Sequence, residues 1–260
     1  SGTVVACGEA VTAWDTGDRV CALTHGGGYA SHAIAPASQC LRVPTCYSMS
    51  EAAGLPEALL TVWHNVFQRA AAQAGQRILI HGGASGIGSL GVSICRAMGL
   101  EVFSTAGTEA KCLRVEELGA TRCFNYREED FVAALEEMGL KGRIDVVLDM
   151  VGGDYVQRNF DVAAPEGRIV NIAFLHGFSA EVNFLPLLTK RLTLTGSTLR
   201  AQTAEQKARM VMEINASLFP HLASGAVKPV IDREFGLADA ADAHAYMEEG
   251  VHLGKILLRP

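Results

Sequence analysis

Glycine stands at positions 82, 83, 86, 88 and 91 of the segment HGGASGIGSLG, between two apolar runs. Backbone bared in this way serves either a tight turn made for packing or a phosphate laid against the start of a helix. The spacing Gly86-x-Gly88-x-x-Gly91 fits a dinucleotide: Gly86 permits the turn, Gly88 lets a pyrophosphate approach, and Gly91 lets helix and strand close up. The flanks supply the required context. RILIHGG reads as a strand, and Ile87, Leu90, Ile94, Cys95 and Met98 recur at helical spacing, so the loop opens a helix whose electropositive end suits an anion. Ser85 and Ile87 belong to the same turn.

An NAD site carries an acid about twenty residues further on, at the end of the next strand, to hold the ribose 2′-hydroxyl. Here that tip reads FSTAGTEAKC, with Ala106 and Gly107 in the acid's place. Glu109 comes later, in the first turn of the next helix, where an acid favours the dipole whatever binds nearby. Lys111 and Arg127 are cations suited to a 2′-phosphate. The expected cofactor is therefore NADP rather than NAD.

The remaining reactive residues are scattered. His25, His32, His64 and His81 stand alone, and isolated histidines read first as packed or exposed residues. The seven cysteines (Cys7, Cys21, Cys40, Cys46, Cys95, Cys112 and Cys123) never fall as C-x-x-C, which gives neither a disulfide framework nor a zinc ribbon. They read as small core residues.

The elements that must position the loop follow from the pattern along the chain. Up to about Pro44 it is strand-like (TVVACG, DRVCAL, YASHAIAP) and broken by turns. The first residues already read as a strand, so a segment upstream is expected. SEAAGLPEALLTVWHNVFQRAAAQAG then has helical spacing. From Arg77 strands and helices alternate through RILIHGG, EVFSTAG, TRCFNY, IDVVLDM, GRIVNIAF and RLTLTGS, the pattern of a parallel sheet covered on both faces. Helices over 204–219 and 238–249 and a final strand, GKILLRP, complete the chain. With 260 residues, 49% of them hydrophobic, and a formal net charge of -6, the composition is that of a globular protein and opposes a general nucleic-acid or anionic-membrane binder. No apolar run reaches the length of a membrane span, and no signal peptide is read at the start. A cytoplasmic location is expected.

Seven segments in order, GDRVCAL, GGGYASHAIAP, LPEALLTVWHNVF, HGGASGIGSLG, TAGTEAKC, LGATRCFNYREEDF and AHAYMEEGVHLGKILL, resemble the zinc-independent medium-chain dehydrogenase/reductase superfamily. The similarity is greatest to its NADPH:quinone oxidoreductase, or zeta-crystallin-like, branch. It implies a Rossmann domain inserted in a GroES-like β-rich catalytic domain, here partial: 1–53 catalytic, 54–200 dinucleotide-binding, 201–260 a return to the catalytic domain. On the same resemblance Gly86 and Gly88 face the pyrophosphate, Gly107, Thr108 and Lys111 hold the 2′-phosphate, and Tyr126 lies beside the adenosine. Thr61 lies near the nicotinamide, with Phe174 and Ser197 in segments lining the same cleft. Thr108 also reads as the N-cap of the helix it precedes, Tyr126 as the end of a strand, and Phe174 as core.

The zinc enzymes of the superfamily carry a cysteine-rich lobe after the GDRV strand, which this sequence lacks, and their catalytic-zinc cysteine falls near Glu57; no metal is expected. The implied activity is NADPH-dependent hydride transfer to quinones or related α,β-unsaturated carbonyl compounds. Such transfer needs alignment and exclusion of water rather than a nucleophile, and no catalytic residue is assigned. An enoyl-thioester reductase is the nearest alternative, and a nucleotide-binding structural or RNA-associated protein without turnover the next. A homodimer paired through the LTLTGS edge is expected, without nucleic-acid or membrane partners.

Overall fold

The computed structural model describes residues 1–260. In chain order, three short strands, β1 (Gly2–Thr3), β2 (Arg19–Ala22) and β3 (Cys40–Arg42), form an antiparallel sheet with Val20 opposite both Gly2 and Arg42. Helix α1 (Met49–Ala53) starts with a capping box, in which Ser48 and Glu51 satisfy each other's backbone N–H. Helix α2 (Pro56–Val62) runs directly into a wider π-helical stretch, Trp63–Arg69. Between α1 and α2 the chain passes Gly54, where a Cβ would stand 2.8 Å from Ile231 Cδ1.

From here the alternation predicted from the sequence is realised. Strand β4 (Arg77–Ile80) leads to α3 (Gly86–Ala97), β5 (Glu101–Ala106) to α4 (Glu109–Glu117), β6 (Arg122–Asn125) to α5 (Phe131–Glu137), β7 (Ile144–Asp149) to α6 (Tyr155–Val162), and β8 (Ala163–Asn171) to α7 (Leu185–Thr189) and β9 (Thr193–Gly196). The six strands pair in parallel in the order β6-β5-β4-β7-β8-β9. This is the Rossmann order, with its reversal point between β4 and β7. The central strands β4, β5 and β7 are short apolar runs because both faces are covered. Leu79, Phe103, Phe124, Phe131, Leu135, Ile144, Val147, Phe160 and Ile169 form one fully buried cluster, in which the rings of Phe103 and Phe124 stack. After the sheet come α8 (Ala204–Ser217), α9 (Phe219–Ala223), β10 (Ile231–Gly236), α10 (Ala240–Glu248) and β11 (Lys255–Arg259), with β10 and β11 paired in parallel.

Contacts divide the chain into two compact units, 1–61 with 85–90 and 199–260, and 62–84 with 91–198. The limits differ from those expected at 53 and 200. The turn at 85–90 joins the first unit because Ser85 bridges to Gly254 and Gly86 packs on Lys255. Two expected strands are corrected. TVVACG is a strand only over Gly2–Thr3, and YASHAIAP, 29–36, is irregular. Sheet β1-β2-β3 offers no further partner to that segment, and apolar alternation makes a strand only where a neighbour accepts its backbone hydrogen bonds. The strand β10, which the sequence pattern did not single out, forms because β11 lies beside it.

One lysine holds the far end of the sheet. Lys190 Nζ donates to the carbonyls of Phe160, Asp161 and Ala163 at 2.8, 3.0 and 3.0 Å, closing the end of α6 where helix carbonyls have no partner of their own. Lys190→Met would leave three carbonyls without their donor, and is expected to lower unfolding stability by about 2 kcal/mol in urea titration; a loss within experimental error would show that water replaces the ammonium freely.

Candidate dinucleotide site

Parallel strands bring their carboxyl ends to one edge of the sheet, and most of the residues singled out in the sequence lie there. Gly107 and Thr108 follow β5, Tyr126 follows β6, Phe174 lies just beyond β8, and Ser197 follows β9. Thr61 is in the last turn of α2, buried, in the other compact unit.

At the start of α3, the Gly88 N–H donates to Ser85 Oγ at 2.9 Å and the Ser89 N–H to Ser85 O at 2.9 Å. Ser85 therefore closes the turn, while the amides of Gly86 and Ile87 lack an intrahelical acceptor, as at any helix start. A Cβ at Gly86 would stand 2.5 Å from Lys255 Cδ and 3.2 Å from the Gly254 carbonyl oxygen. The lysine stem therefore lies on this glycine. Two further close approaches fix the loop. A Cβ at Gly83 would overlap Ser104 Oγ and stand 2.9 Å from Val115 Cγ1, and one at Gly91 would meet Val62 Cγ2 at 3.3 Å.

At the tip of β5 the structure brings Gly107 and Tyr126 together. A Cβ on Gly107 would lie 2.6 Å from Tyr126 Oη and 3.5 Å from Arg127 Nε. Thr108 caps α4, its hydroxyl accepting from the Lys111 N–H at 3.3 Å, so Lys111 belongs to the first turn. Tyr126 is exposed. The segment after β8 is clamped: the Leu175 N–H donates to Met150 O and the His176 N–H to Val151 O, at 3.1 and 2.8 Å. Phe174 stays half exposed there, edge-on to Phe178. Ser197 Oγ donates to Asn65 Oδ1 at 2.7 Å; Asn65, buried in the π-helical stretch, was not singled out in the sequence.

Beneath these loops runs a buried polar chain that no sequence motif announces. His81 Nε2 donates to Asn159 Oδ1 (2.8 Å), and Asn159 Nδ2 donates to Asp149 Oδ2 (3.1 Å), which also accepts from Asn171 Nδ2 (2.9 Å). Asp149 Oδ1 accepts from the N–H groups of Val151 and Gly152. On the other side His81 Nδ1 lies 3.2 Å from Thr105 Oγ1, which accepts from the Gly82 N–H. Asn159 Oδ1 can only accept, so His81 carries a proton on Nε2; in the neutral ring Nδ1 then accepts from the Thr105 hydroxyl. The chain ties β4, β5, β7 and β8 together at the reversal point and holds the loops of β4 and β7. Alone in the sequence, His81 reads as a plain core residue, and no spacing signal links it to Asn159 or Asp149.

Four of the seven cysteines are core residues as expected, whereas Cys7 and Cys46 are exposed and Cys40 is half-buried. Cys21, Cys95, Cys112 and Cys123 are buried, and burial pushes the Cys21 thiol up to about 12 and also raises Cys95 and Cys123. No cluster of three or more His, Cys, Asp or Glu side chains is placed to hold a metal ion. No helix is long and apolar enough to cross a membrane.

Comparison with known proteins follows the same lines. Residues 118–258 match the zinc-binding dehydrogenase family. The chain belongs to that family. More finely, it falls in the medium-chain dehydrogenase/reductase superfamily, on the quinone oxidoreductase branch. It is 30% identical to the Escherichia coli quinone oxidoreductase solved in complex with NADPH, with a TM-score of 0.85 over 100% of this chain and 80% of that one. Against the CurK enoyl reductase the values are 27% and 0.84, over 99% of this chain and 77% of that one. It is also 30% identical to a phenolphthiocerol/phthiocerol polyketide synthase of Mycobacterium tuberculosis, covering 99% of this chain but 12% of that protein. The chain thus spans about an eighth of the synthase it matches. Glu57, the position near which the resemblance puts the zinc enzymes' cysteine, pairs with Lys255.

His81 gives the site a signature in pH. Burial holds its pKa below the ordinary imidazole value, against the pull of Asp149 and with Arg158 opposing the charge. The unfolded chain therefore binds a proton below about pH 6.5 that the folded chain refuses, and stability, complete above that pH, falls by up to about 1.4 kcal/mol per unit below it. Urea midpoints measured between about pH 7 and pH 5 are expected to show this slope, and His81→Gln to flatten it; an equal slope in both proteins would place the titration elsewhere.

Proposed function

We propose that this chain carries the dinucleotide-binding part of an NADPH-dependent oxidoreductase that passes hydride to quinones or related α,β-unsaturated carbonyl compounds. The observation that carries the reading is the tip of β5. Where an NAD site would put a carboxylate, Gly107 lies against Tyr126 and Arg127 instead, with Lys111 in the first turn of α4. A carboxylate would repel a 2′-phosphate, and cations would attract it. The residues that would hold the cofactor are Gly86, Ile87, Gly88 and Ser85 for the pyrophosphate, and Gly107, Thr108, Lys111 and Tyr126 for the adenosine end. Thr61, Phe174 and Ser197 are assigned to the nicotinamide end. When bound, NADPH supplies the hydride. The protein's part is to align, to exclude water and to set the local field.

Phe174 and Phe178 suit a flat, apolar acceptor, since aromatic rings gain from edge-to-face and offset contacts. Quinone is therefore the first choice. Similarity to the CurK enoyl reductase supports a second reading, an enoyl-thioester reductase. β9 is an edge of the sheet, with Thr193, Leu194 and Gly196 exposed, and pairing with a second copy would cover that edge; a homodimer is part of the proposal.

Stopped-flow absorbance of the protein with NADPH is the test. Oxidation on adding a para-quinone, slower with a 2-enoyl thioester, is expected; bound NADPH that is oxidised by the thioester alone would favour the second reading. Lys111→Ala is expected to reduce the preference for NADPH over NADH by about tenfold in kcat/KM, the scale of one charge-assisted hydrogen bond; an unchanged preference would remove Lys111 from the phosphate site.

A further inference from the structure

The anion-binding end of α3 is already in the company of an anion. Lys255 opens β11 directly after Gly254, whose φ of +87° and the close approach of a would-be Cβ to the Val230 carbonyl oxygen leave room for no side chain. With Gly254 bridged to Ser85 and the Lys255 N–H bonded to Val230 O at 2.8 Å, the lysine stem is fixed across Gly86. A Cβ there would lie 2.6 Å from Lys255 Cε. The ammonium, one bond further, ends 2.5 Å from Glu57 Oε2. Glu57 sits in the first turn of α2, and its side chain is 56% exposed against 21% for Lys255. The more buried partner is thus the cation, fixed beside the start of α3, and the more solvated one is the carboxylate.

We propose that Glu57 is an anionic placeholder: its carboxylate occupies Lys255 where a phosphate oxygen of the dinucleotide is to bind, and cofactor binding exchanges one anion for the other. This rests on the dinucleotide reading given above. The exchange is feasible because an exposed ion pair contributes little, and a carboxylate this open regains its hydration when it lets go. It has a thermodynamic consequence. The free protein keeps a lysine beside a positive helix end without leaving two like charges unscreened, and each binding event must displace a competitor whose negative charge then stays near the phosphates. Glu57 therefore sets the affinity from the unfavourable side, which favours release of the cofactor after turnover.

The experiment is calorimetric titration of NADPH into the full chain, for wild type, Glu57→Gln, Lys255→Gln and the double variant, with circular dichroism of each. Glu57→Gln is expected to tighten binding about fivefold, and Lys255→Gln to weaken it about tenfold. In the Lys255→Gln background the gain from Glu57→Gln shrinks, because there is no longer a lysine to compete for. Inorganic pyrophosphate, used as a competitor of NADPH, should gain affinity for Glu57→Gln in the same proportion. If Glu57→Gln folds poorly, Glu57→Ala with the same pyrophosphate competition replaces it. Wild type that binds NADPH, with Glu57 variants that bind it equally or more weakly, overturns the placeholder and leaves the dinucleotide reading standing. NADPH that binds to none of the four proteins overturns both.

Discussion

The bare first turn of α3 is the constraint on which the rest depends. A helix start leaves amides pointing outward and a positive end exposed, and here the turn is held by contacts that tolerate no side chain at Gly83 and little at Gly86. Ser85 closes the turn with its hydroxyl and its carbonyl. In the proposed reading, the chemistry that follows is that of an anion held by main chain. The same reading gives the choice of anion to residues further along, at the ends of β5 and β6.

The parallel sheet supplies those ends without any local sequence motif. Because the strands run the same way and reverse order between β4 and β7, every loop after a strand reaches the same edge. The buried chain from Thr105 through His81 and Asn159 to Asp149 and Asn171 fixes four of those ends relative to one another. Burying so many polar groups is stabilising only when each has its partner, and the fully paired arrangement gives the loops a single position. A glycine loop, with few side chains of its own, takes its course from the strand ends that hold it.

The sequence made some of this legible and hid the rest for physical reasons. Periodicity located all six strands of the parallel sheet, because short apolar runs bounded by glycine and helical spacing are local properties of the chain. The glycine loop was legible for the same reason. Strand-like alternation at 29–36 misled, since pairing depends on a neighbour that no local pattern reveals. Lys255 was invisible for the opposite reason: it lies far along the chain from Gly86 and reaches it only through the bridge between Ser85 and Gly254. Asn65, buried against Ser197, and the His81 chain share that fate. A buried polar residue looks like any other until its partners are in place.

The most direct measurement is a crystal structure of the protein grown with NADPH. The pyrophosphate is expected within hydrogen-bond distance of the Gly86 and Ile87 amides, with the 2′-phosphate beside Lys111. Density for the dinucleotide away from the start of α3, or a saturated crystal with none, would contradict the reading on which the whole site is built.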